Sequence, residues 1–64
     1  MPRVEQTYAI RLCKNGEEFQ VLPNVVEREF VPRPRTGQVI EEKWRVRGVI
    51  SNSASEIVLE VEEA

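Results

Sequence analysis

A chain of 64 residues with net charge −2, one cysteine and no histidine makes one small domain spanning 1–64. It buries only about 60% of the surface its unfolded form exposes, so a disulfide, a metal or a partner subunit is the usual support. Cys13 alone excludes an intrachain disulfide and the missing histidines remove the ordinary zinc ligands. No metal or cofactor is therefore expected, and a partner or second copy remains as the support.

Met1-Pro2-Arg3-Val4-Glu5 has no apolar core of the signal-peptide kind, and no run approaches the roughly 18 apolar residues of a membrane span. With a lone thiol this points to the cytoplasm, a nucleus being equally consistent. The segments that follow alternate with period two, and Pro, Gly, Asn and Ser punctuate them at short spacing, so no helix is expected.

Asn15-Gly16 is the clearest local signal, the dipeptide preferred in a two-residue type I′ hairpin loop. With those two as the loop, strands at about 5–14 and 17–22 set Lys14 opposite Glu17, Leu12 opposite Phe19 and Ile10 opposite Val21. Leu22-Pro23-Asn24 then breaks the sheet, because Pro lacks the ladder N–H. A third strand is expected over about 25–31, at an edge able to accept a partner strand. Pro32-Arg33-Pro34-Arg35-Thr36-Gly37 is an extended connection.

A strand run from Gln38 to Ile50 puts Ile40, Trp44, Val46 and Ile50 on one face, with Glu41-Glu42-Lys43 as a turn that divides it into two short strands or as part of one. Asn52 and the serines mark a loop at about 51–56, and the last strand, Ile57 to Glu62, turns Ile57, Leu59 and Val61 inward. A hairpin closed there pairs Ile50 with Ile57, Gly48 with Leu59 and Val46 with Val61. The same register sets Arg47 beside Glu60, Arg45 beside Glu62 and Val49 beside Val58. The expected core is Tyr8, Ile10, Leu12, Phe19, Val21, Phe30, Ile40, Trp44, Val46, Ile57, Leu59 and Val61. The fold class is all-β: a five- to six-stranded antiparallel barrel, or a strongly bent sheet built from two hairpins.

The run Pro34-x-x-Gly37-x-x-Ile40-x-x-x-Trp44-x-Val46-x-x-Val49 resembles a pattern of small SH3-like barrels, including short proteins of phages and mobile elements. It covers about a third of the chain. The resemblance implies a barrel in which a glycine turns the chain into one strand and an aromatic-x-Val enters the next. The aromatic cage of a methyl-lysine-reading Tudor domain is not visible, since most of Tyr8, Phe19, Phe30 and Trp44 have core parity.

Charge is uneven. Residues 28–47 carry six cations against Glu29, Glu41 and Glu42, whereas residues 48–64 carry Glu56, Glu60, Glu62 and Glu63 and no cation. A nucleic-acid-binding accessory role would use Arg33, Arg35 and Lys43, the cations left after Arg45 and Arg47 meet their glutamates, but the isoelectric point near 5.1 argues against it. Catalysis is not expected. Cys13 has cations beside it but no histidine base, and Glu17/Glu18, Glu41/Glu42 and Glu62/Glu63 are sequence neighbours rather than paired acids of a cleft. Apolar residues left on the outer parity, above all Val25, Val31, Val49 and Val58, make protein binding the favoured function. A homodimer is one form of it.

Overall fold

The computed structural model describes residues 6–28 and 30–64. It is an all-β structure of five strands: β1 (Thr7–Lys14), β2 (Glu17–Val26), β3 (Val39–Ile40), β4 (Trp44–Asn52) and β5 (Glu56–Glu63). They form one sheet in the order β2-β1-β5-β4-β3. The two hairpins, β1–β2 and β4–β5, meet through a parallel ladder between β1 and β5.

The first hairpin forms where its sequence demands it. Asn15 and Gly16 sit at φ 55° and 81°, as a type I′ loop requires, and Lys14 faces Glu17. A bulge at Phe19 then shifts the ladder by one, so Leu12 faces Gln20 and Ile10 faces Leu22 rather than Phe19 and Val21. Phe19 and Val21, expected in the core, are 44% and 38% exposed.

β2 does not stop at Pro23. Asn24 takes φ 57° and the strand bulges past the proline to pair Val25 with Tyr8 and Val26 with Thr7. Among the described residues the separate third strand expected over 25–31 is absent, Glu29 lying outside them. The Val31 N–H binds the Arg28 carbonyl, and Phe30 is 90% exposed instead of in the core.

The turn at Glu41-Glu42-Lys43 does divide the 38–50 run. Glu41 and Glu42 hold φ 56° and 59°, Lys43 N–H binds the Ile40 carbonyl, and Ile40 pairs with Trp44. In the second hairpin Val46 faces Val61 and Arg45 faces Glu62 as expected, but irregularities at Arg47 and Ile50 move the rest. Gly48 faces Glu60, Val49 faces Leu59 and Ser51 faces Val58, so the expected Ile50–Ile57, Gly48–Leu59 and Val49–Val58 pairs do not form.

The core is one layer on the concave face: Tyr8, Ile10 and Leu12 of β1, Ile57, Leu59 and Val61 of β5, and Val46 of β4. Leu22, Val25, Ile40 and Trp44 pack against it. How far the sheet curls can be read from one contact. β2 and β4 are three strand spacings apart in the sheet, roughly 14 Å if it were flat. Yet the rings of Phe19 and Trp44 meet with centroids 4.9 Å apart, tilted by 60°. The sheet is therefore a half-barrel, closed at one end by these two rings. Among the described residues no helix is long and apolar enough to cross a membrane.

Candidate functional site

The parallel β1–β5 pair sorts the loops between the two ends of the half-barrel. One end gathers the β1–β2 turn, the β3–β4 turn and the end of β5. The other holds the β4–β5 turn and the start of the 27–38 connection.

At the second end Arg33 is fully engaged. Nε and Nη2 donate to the two carboxylate oxygens of Glu27 at 2.7 and 3.0 Å. Nη1 donates to Asn52 Oδ1 at 2.6 Å and to the Ser53 carbonyl, and Nη2 also donates to the Ala54 carbonyl at 3.1 Å. Those bonds use all five N–H groups a guanidinium has. Its carbon stacks 4.4 Å from the Tyr8 ring centroid, and the side chain is only 16% exposed. The Arg33 hydrogen bond holds the Glu27 carboxyl below its usual range. Burial, the largest influence on Tyr8, raises its phenol. Pro32 and Pro34 fix φ on either side and present Arg33 in a set direction. That flanking pair, with Glu27 six residues earlier, was the available signal for a structural arginine.

The convex face carries Cys13. It is buried at 6% exposure, and its thiol is pushed up by burial first, then by the Glu18 and Glu60 carboxylates, with Arg11 opposing. Sequence adjacency to Lys14 and Arg11 suggested the reverse. In the ladder the residues opposite Cys13 are Glu18 and Glu60. Arg11 lies between strands, its Nη1 2.8 Å from Glu18 and its Nε 2.6 Å from Glu56. Arg47, displaced by its bulge, reaches Glu62 at 3.2 Å rather than the expected Glu60. Glu60 Oε1 instead accepts the Gly16 N–H at 3.2 Å. Among the described residues no group of three or more His, Cys, Asp or Glu side chains is arranged to hold a metal ion.

The four valines singled out in the sequence do not share a surface. Val25 packs against the core beside Tyr8, and Val58 is half-buried between Arg11 and Ser51. Val31 and Val49 are exposed, at 60% and 43%, and Ile50 joins them at 58%. Of Arg33, Arg35 and Lys43, only Arg35 and Lys43 extend exposed side chains; Arg33 belongs to the clamp.

At the first end a shallow depression is lined by Glu42, Lys43, Trp44, Glu63 and Ala64. Trp44 forms its half-buried floor, and Lys14 Nζ lies 5.9 Å from the Trp44 ring centroid and 3.9 Å from Glu63 Oε1. The sequence signalled none of this grouping, because Lys14, Glu42, Trp44 and Glu63 lie on three separate turns and strand ends. No family model matches the chain, and no curated protein or solved structure matches it.

Proposed function

We propose that the chain is a small non-catalytic binding module of the cytoplasm that mediates protein–protein interaction, homodimerisation being its simplest form. The observation that carries this reading is the exposure of Phe30 at 90%, Val31 at 60% and Ile50 at 58% on a chain with so small a core. Arg33 links the chain segments that carry these residues. It lies two residues past Val31 and is bonded to Asn52, two residues past Ile50. Exposed apolar side chains bordered by polar groups are what a modest interface offers. Catalysis has no support in the site chemistry, since the one thiol is buried and pushed away from its thiolate form. The small SH3-like barrels that the 34–49 pattern resembles are compatible with this reading.

Nucleic acid is the second reading. It is favoured by Arg28, Arg35, Lys43 and Arg45, which form no ion pair among the described residues. The engagement of Arg33 removes one of its three expected contacts.

Light scattering over a concentration series, at low and high salt, tests both. A dimer that persists in salt and is lost in Phe30→Ser/Ile50→Ser supports the interface. A monomer throughout, with oligonucleotide binding that falls steeply with salt, supports nucleic acid instead.

A further inference from the structure

Three acidic pairs that are far apart in sequence arrive at one end of the half-barrel. Glu17 and Glu18 begin β2, Glu41 and Glu42 form the β3–β4 turn, and Glu62 and Glu63 end β5. β1 and β5 run parallel, and β2, β3 and β4 are threaded so that all three places share that end. Two of the six acids are neutralised from the convex face, Glu18 by Arg11 and Glu62 by Arg47. Glu17, Glu41 and Glu42 have no ion-pair partner among the described residues, and Glu63 is 80% exposed at 3.9 Å from Lys14.

Two of these carboxylates, Glu42 and Glu63, border a shallow aromatic floor. Trp44 lines the depression with Glu42 and Glu63, and Phe19 braces its ring from β2. An ammonium already lies beside that ring and one of those carboxylates. Lys14 Nζ sits over Trp44 and beside Glu63, the pairing of π-face and carboxylate that attracts a cation. That contact is at the long limit for cation–π attraction, and Lys14 is 48% exposed, so a competing cation can displace it. Lys43 also lines the depression, and with Lys14 it leaves the turn residues and strand end net acidic.

We propose that this end docks a basic segment of a partner protein, a lysine or arginine of the partner taking the place of Lys14 over Trp44. The proposal deepens the reading of the chain as a protein-binding module by giving the partner's chemistry. It uses a different surface from the one around Phe30 and Ile50.

Trp44 is the only tryptophan, so its fluorescence reports this site directly. An oligolysine peptide titrated at low salt is expected to give a saturable change that fades at high salt, with oligoglutamate giving none. Lys14→Gln is expected to tighten oligolysine binding and Glu42→Gln/Glu63→Gln to weaken it, each by roughly two- to fivefold, the range of exposed charge pairs. Both variants alter exposed side chains, and their melting curves check that the fold is intact. No saturable change, or equal affinity in the Glu42→Gln/Glu63→Gln variant, overturns the proposal. So does a Trp44 signal that varies with protein concentration without peptide, which places a second copy there. An oligolysine failure alongside a salt-stable dimer would remove this proposal and leave the binding-module reading standing.

Discussion

Arg33 and Glu27 form a fork-to-fork pair, Nε to Oε2 at 2.7 Å and Nη2 to Oε1 at 3.0 Å, across the start of the long connection. The geometry needs a planar guanidinium, which a lysine cannot supply. The same side chain also holds the β4–β5 turn through Asn52, Ser53 and Ala54. Arg33→Ala is therefore expected to lower the melting temperature by roughly 5–10 °C, the size of a substantial network loss in a domain this small. Arg33→Lys should recover less than half of that. Thermal melts by circular dichroism check both, and a lysine variant as stable as the parent would show that charge alone suffices.

Acid should act through the same pair. The Glu27 carboxyl is depressed in the folded chain, chiefly by its hydrogen bond to Arg33. A depressed carboxyl contributes stability that is present above its unfolded value, about 4.3, and is lost as pH falls through the folded value. Urea midpoints are thus expected to drop below about pH 4.5. In Glu27→Gln this share of the acid dependence should disappear, and an unchanged profile would assign it to other carboxylates.

The alternation that marked β1, β4 and β5 was legible because one face of each is buried against the same layer. Tyr8, Ile10, Leu12, Val46, Ile57, Leu59 and Val61 were all expected inside and are there. What misled was the bulges. A period-two reading carries every side chain to the wrong face once a residue is inserted, as happened past Phe19 and past Arg47. Nothing local announces such an insertion; it comes from the curvature that brings Phe19 onto Trp44. Asn15-Gly16 advertised its turn, whereas Glu41-Glu42 takes the same positive-φ geometry with no turn-forming sequence. The acidic end was illegible for a different reason, since only the parallel β1–β5 pairing unites its three parts.

Cys13 is expected to be inert in the native state. Burial and the flanking Glu18 and Glu60 carboxylates raise its thiol, which keeps the thiolate scarce at neutral pH. A disulfide-exchange reagent at pH 7 should react only as fast as the sheet opens, and at once in urea. Rapid labelling of the folded protein would contradict this burial.

Burial and exposure on the two sides of the sheet should separate cleanly in stability. Leu59 is fully buried beneath the half-barrel, so Leu59→Ala is expected to cost about 2–5 kcal/mol, enough to unfold much of a marginal domain. Phe30→Ser, at a turn tip 90% exposed, should change stability by no more than about 0.5 kcal/mol in the monomer. Urea titrations at low protein concentration make the comparison. A large loss for Phe30→Ser would mean that its ring is covered in solution.

Glu41 and Glu42 link strain to the proposed docking surface. Both hold φ near +57°, a region that costs an L-residue roughly 1–2 kcal/mol and that Asn and Gly enter readily. Replacing them with the residues of the other turn, Glu41→Asn/Glu42→Gly, should raise stability by about 1 kcal/mol, the relief being partly offset by the freedom glycine adds to the unfolded chain. The same change strips one carboxylate, Glu42, from the lining of the Trp44 depression and a second, Glu41, from the same turn. Oligolysine binding, followed by Trp44 fluorescence, is then expected to weaken as the urea midpoint rises. A strained turn kept at the cost of stability is what a site needing charge there would show. If the variant gains stability and binds as well as the parent, the two glutamates are merely a poor turn sequence. If it loses stability, their side chains hold the turn in a way the positive φ values do not reveal.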